Sequence, residues 1–168
     1  MPTVSRLFLK CGLIYFVAAM ASGVAMGWLG PAWGAVLLPT YIHLFVVGWI
    51  TQIIIGVALW LFPKWSKEQP RGREWLSWLA LVTLNLGLLL RLGTESMHGL
   101  NRLDPASQKW LAWGLVASAL LQWVGGMAFM INIWGRIKPK KVRKPRVKKS
   151  APKDGKKKVA AKQDGGRP

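Results

Sequence analysis

Residues 43–63 read HLFVVGWITQIIIGVALWLFP, an unbroken apolar run of 21 residues that opens with a histidine and ends at a proline. A helix crosses the hydrocarbon core of a bilayer with about 20 apolar residues, so this segment predicts a membrane span. Its first residue, His43, is one of two histidines in the chain. An ionisable side chain at the edge of a span needs a partner or a ligand to justify its place. The stretch therefore says where the protein resides and marks a residue that could hold something.

Working outward, the rest of the chain has the same character. Of the 168 residues 52% are hydrophobic and 11 are Trp, and the mean hydropathy is +0.26 despite a strongly charged tail. A soluble domain of this size would not combine these values. Four apolar stretches stand out, at about Cys11 to Leu29, Tyr41 to Phe62, Trp75 to Leu92 and Trp110 to Trp134. None alternates with the period of two that a membrane strand requires. The expected fold is all-α: an integral membrane four-helix bundle over residues 1–135, up-down-up-down because the connections are short. It is followed by a disordered basic C-terminal tail over residues 136–168.

Charge orients the bundle. Arg6 and Lys10 precede the first stretch and Lys64, Lys67, Arg71 and Arg73 lie between the second and third, whereas residues 30–40 carry no charge. The positive-inside rule puts both termini and the middle loop in the cytoplasm. His43 and His98 then share the outer side, the latter in a loop expected from Gly93 to Lys109. The first stretch has a second reading as a signal peptide, with Ala19-Met20-Ala21 before Ser22 as the cleavage motif. Against it, the apolar run continues to Leu29, and Gly23 and Gly27 form a small-residue face suited to helix packing.

From Arg136 onward there are 15 Lys and Arg against Asp154 and Asp164, with four prolines and few large apolar residues. Such a composition builds no core. Placed directly after a span, its basic patches, with Lys140, Lys141, Arg143, Lys148 and Lys149 foremost, are expected to contact the anionic lipids of the bilayer surface. Nucleic acid is the weaker partner, because no aromatic residues are interleaved for base stacking.

Catalytic arrangements are lacking. No Asp or Glu falls within the four stretches, and there is no Ser-His-acid set, no phosphate loop and no cysteine pair, Cys11 being the single thiol. Hydrolase, kinase and carboxylate-driven proton pump are excluded on that reading, and with nothing charged in the spans a transporter is disfavoured. Thr51, Gln52, Thr83, Asn85, Gln122 and Asn132 are expected to hold helices together. Arg91, near a helix end, is expected to snorkel to lipid phosphate or to meet another anionic group. The Trp residues near helix ends form an interfacial belt, while Trp49, Trp60, Trp78, Trp113 and Trp123, further in, are expected to pack the core.

The string His43, Gly48, Trp49, Gly56, Trp60, Pro63 resembles the second transmembrane helix of the catalytic subunit of heme-copper oxidases. The likeness is greatest to nitric oxide reductases and C-type cytochrome oxidases. Small four-helix proteins similar to that subunit share the pattern, and the segment Arg71-Gly72-Arg73-Glu74-Trp75 is similar to theirs. The resemblance implies a bacterial-type inner membrane protein with His43 as an axial ligand of one b-type heme. It allows Arg91 to meet a heme propionate, and Gly48 and Gly56 to admit a macrocycle. The second ligand would come from His98, from Met97 or Met26, or from His43 of a second copy. With His98 the only other histidine, the chain cannot build an oxygen- or nitric-oxide-reducing centre, so no independent catalytic activity is expected. Two functions follow: electron transfer or sensing through one heme, or a cofactor-free accessory or assembly subunit of a respiratory membrane complex.

Overall fold

A computed structural model describes residues 1–62, 73–99 and 104–137. Among these, the structure is helical and contains no strand: α1 (Thr3–Leu29), α2 (Pro31–His43), a π-helical segment (Leu44–Thr51), α3 (Gln52–Leu61), α4 (Glu74–Gly99) and α5 (Pro105–Trp134). Because α2, the π-helical segment and α3 run on without a break, the described residues hold four helices long and apolar enough to cross a membrane. The chain divides into the units Met1–Lys138 and Pro139–Pro168. The second unit, with Lys140, Lys141, Arg143, Lys148 and Lys149, lies outside the described residues, as do Lys64, Lys67 and Arg71 of the middle loop.

Helix ends follow local chemistry, and several differ from the sequence reading: α1 starts at Thr3 and not Cys11, and α5 at Pro105 and not Trp110. Gly30 adopts φ 84°, a left-handed conformation that ends α1, and Pro31 starts α2 at the position where its missing N–H costs nothing. Helix therefore begins twelve residues before His43, which sits inside a span and does not open it. Helix α4 runs to Gly99 and not Leu92, bringing Glu95 onto the helix that carries Arg91, where a loop was expected from Gly93.

At the start of α5, the Asp104 carboxylate accepts from the Ser107 hydroxyl at 2.6 Å and from the Ser107 backbone N–H at 3.2 Å. These bonds hold its carboxyl below the ordinary carboxylate range. A depressed value means the cap stabilises above the unfolded-state pKa and is lost as pH falls through the folded one. Acidification through the carboxylate range is therefore expected to fray the first turn of α5. Amide exchange at Ser107 and Gln108 should report this, and Asp104→Asn should flatten the pH dependence.

Small residues set the helix contacts. A Cβ added at Gly56 would lie 3.1 Å from Phe8 Cβ, one at Gly12 3.0 Å from Ile53 Cδ1, and one at Gly23 3.4 Å from the Tyr41 ring. Partner numbers fall as glycine numbers rise, so α1 and the second span run antiparallel. Between α4 and α5 the same relation holds: Gly87 faces Ser118 and Gln122, Gly114 faces Thr94, and Gly125 faces Leu84 and Thr83. Glycine lets backbones approach where lipid tails offer no hydrophobic gain for association.

Polar side chains link these layers. Gln52, fully buried, and Asn85 exchange bonds of 3.2 and 3.4 Å between the second span and α4, and Asn132 donates to Ser77 at 2.7 Å between α5 and α4. The expected helix-holding role is realised at these three amides. The Trp expectation is not. Trp60, Trp78, Trp113 and Trp123 are exposed, and only Trp49 packs inward, with ring centroids 4.4 Å from Phe16 and 4.8 Å from Phe45. Bulky rings at the contacts would separate backbones that glycine brings together, so they lie on the periphery.

Arg136, counted with the tail from sequence, is 2% exposed and belongs to the bundle. Its Nη2 donates to Phe62 O at 2.8 Å and Leu59 O at 3.2 Å, satisfying carbonyls that the end of α3 leaves open. Burial pulls this guanidinium below its ordinary pKa.

Candidate functional site: a histidine and glutamate shared by two helices

His43 ends α2 one residue before the π-helical segment begins. In that segment the wider ring of backbone bonds turns later side chains to new directions. The Thr51 hydroxyl, donating to Val46 O at 2.8 Å, closes one of its carbonyls. Pro39, four residues before His43, contributes its carbonyl: His43 Nδ1 lies 2.8 Å from Pro39 O. A carbonyl only accepts, so Nδ1 carries the proton in this contact.

A carboxylate stands near the same nitrogen without a hydrogen bond to it. Glu95 of α4 places Oε2 3.4 Å from His43 Nδ1, with side chains 24% and 12% exposed. Its other oxygen, Oε1, is 3.4 Å from Arg91 Nη2, one helical turn back. Thr40 Oγ1 and Ser96 Oγ, 3.4 Å apart, extend the polar contact along the same two helices. The Pro39 carbonyl takes the Nδ1 proton, which points Nε2 away from that contact. Nε2 makes no hydrogen bond among the described residues. Glu95 Oε2 and Arg91 Nε are buried and likewise have no hydrogen-bond partner there.

The structure thus joins two of the residues singled out in sequence, His43 and Arg91, through one that was not. Glu95 was passed over because its helix was expected to stop at Leu92. The spacing Arg91 to Glu95, a turn apart, was the signal that the helix continues. His98 lies on α4 three residues beyond Glu95, and its side chain is outside the described residues. The exclusion of intramembrane carboxylates is corrected accordingly: Glu95 and Glu74 are both helical.

No family model, curated protein or solved structure matches this chain.

The residues present fit a heme in one respect and not in another. Nδ1–H bonded to a carbonyl, with Nε2 bare, is the state an axial imidazole needs. A cradle within the chain is lacking at the glycines expected to form one. A Cβ added at Gly48 would lie 2.7 Å from Tyr15 Cβ and 3.0 Å from Leu88 Cδ2, and at Gly56 it would meet Phe8 and Ser5. Both faces are filled by α1 and α4. Among the described residues there is also no group of three His, Cys, Asp or Glu side chains placed to hold a metal ion.

Proposed function

We propose that this chain is a four-span protein of a bacterial-type inner membrane, with both termini cytoplasmic, that holds one b-type heme through Nε2 of His43. It serves electron transfer or sensing without catalysis of its own. The observation that carries the reading is the position of Nδ1 between Pro39 O and Glu95 Oε2, at 2.8 and 3.4 Å. It commits one nitrogen of His43 and frees the other. Since the Gly48 and Gly56 faces are filled by α1 and α4, the group would be held through His43 and not at those glycines. A bound heme supplies a one-electron couple. The chain supplies an imidazole oriented by the Pro39 carbonyl, with a carboxylate 3.4 Å from the same ring nitrogen. His98 or His43 of a second copy would complete the ligation, and Arg91 would neutralise Glu95.

The test is a reduced-minus-oxidised absorption spectrum of the full chain, purified in mild detergent after expression with ample heme. The expected result is a b-type Soret and α pair that His43→Ala removes and Glu95→Gln retains with a shifted midpoint potential. A flat spectrum, or one unchanged in His43→Ala, rejects the reading. The filled glycine faces and outward Trp side chains favour a second one: a cofactor-free accessory or assembly subunit, packing against larger subunits of a respiratory complex. In that case co-purification with such subunits would be unaffected by His43→Ala.

A further inference from the structure

At the opposite end of the bundle from His43, the starts of α1 and α4 and the end of α3 enclose a small notch. Pro2, Ser5, Leu59, Glu74, Ser77 and Arg136 line it, and its inner space is about 10 Å³. That volume admits a single oxygen-sized group. The chemistry around it is that of an anion site. Arg136 brings a guanidinium that is itself 2% exposed. The Ser5 hydroxyl, 0% exposed, has no hydrogen-bond partner among the described residues. Ser77 Oγ accepts from Asn132 Nδ2 at 2.7 Å, which leaves its own proton to donate. The first turn of α1 has no side-chain cap, so its N–H groups and the positive end of its dipole face the same region.

We propose that this notch seats one phosphate oxygen of a phospholipid headgroup. Two features select a lipid phosphodiester over free phosphate. Val4 and Leu59, themselves buried, form an apolar inner wall beside its polar groups, which favours a singly charged diester over a more strongly hydrated free phosphate. The exposed carboxylate of Glu74 at the rim disfavours a dianion more than a singly charged diester. The site's donors, Ser5, Ser77 and Arg136, belong to the helices of the bundle and the turn that follows α5. It is independent of heme binding at His43.

Native mass spectrometry of the full chain, titrated with phosphatidylglycerol, tests the assignment. The native chain is expected to retain one lipid that Ser5→Val, which fills the notch, does not. Ser5→Ala should weaken that lipid roughly tenfold, the fold-change of one lost hydrogen bond to a charged group. Lys148→Ala/Lys149→Ala should lower total lipid binding while keeping the Ser5-dependent molecule. Diacylglycerol of the same chain length should not distinguish the native chain from Ser5→Val. Equal retention by native, Ser5→Ala and Ser5→Val chains would overturn the proposal, and so would a Ser5 effect of equal size with diacylglycerol. Displacement of the lipid by equimolar inorganic phosphate would assign the site to the free anion and overturn the lipid reading. Should Ser5→Val fail to fold, judged by circular dichroism, Ser5→Ala alone decides.

Discussion

Gly48→Leu is expected to unfold the bundle or leave it unstable by about 3 kcal/mol or more, the upper range for forcing bulk into a packed interior. An added Cβ would lie 2.7 Å from Tyr15 Cβ, 2.9 Å from Tyr15 Cγ and 3.0 Å from Leu88 Cδ2. Tyr15 Cβ is tied directly to the α1 backbone, so no rotamer change removes the clash and α1 itself must shift. Leu88, 0% exposed, closes the other side, so the second span is held between α1 and α4 with no direction in which to yield. Gly48→Ala should already be costly. Gly27→Ala is the control: nothing lies within 4 Å of a Cβ there, and the residue is inside a helix. That change is expected to be neutral or to stabilise by up to about 1 kcal/mol through helix propensity. The folded fraction in mixed micelles of rising denaturing-detergent content measures both. A Gly48→Leu chain as stable as the native one would show that this three-helix contact does not hold the bundle together.

The same contact shows which parts of the fold could be read in the sequence. Apolar runs long enough to span gave the helix count directly, since the bilayer sets the length and the 1.5 Å rise per residue sets the number of residues. The stripe of Gly48 and Gly56 was legible as a close-approach face, but its occupant was not. Glycine marks room for a neighbour without saying whether that neighbour is a helix or a flat ring, and here α1 fills it. Helix ends were less legible. In a soluble protein Gly93 and the charges after it would suggest a stop, yet α4 continues to Gly99, because Arg91 and Glu95 pair along it and Glu95 has His43 across from it. The Trp positions were misread for a related reason. In water large aromatics are driven inward, whereas lipid is as apolar as the core, so that drive is absent and close backbone approach decides. The π-helical segment had no signal in composition or periodicity.

Glu95→Leu is the second change expected to have a large effect, because it leaves the Arg91 guanidinium without its carboxylate. Arg91 and Glu95 are 21% and 12% exposed at the side chain, so the pair is largely withdrawn from water. Removing one member of such a pair costs about 3–5 kcal/mol when fully buried; with this residual exposure a loss of about 2–3 kcal/mol is expected. The companion change separates cause from accident. Most of the penalty comes from the stranded guanidinium, so Glu95→Leu/Arg91→Leu should be more stable than Glu95→Leu alone, a coupling that a double-mutant cycle reads directly. Strict additivity would mean that the 3.4 Å contact between Arg91 and Glu95 carries no energy. Glu95→Gln should cost less, since its amide oxygen can still accept from Arg91 where Oε1 does now. His43→Leu tests the remaining arm: it removes the weaker contact, leaves Arg91 and Glu95 paired, and should destabilise less than Glu95→Leu. That ordering would identify Arg91 as the residue that keeps a carboxylate in the bundle, and Glu95 as the residue that orients His43. It would also explain why a chain with so few acids places one of them beside a histidine on a helix long and apolar enough to cross a membrane.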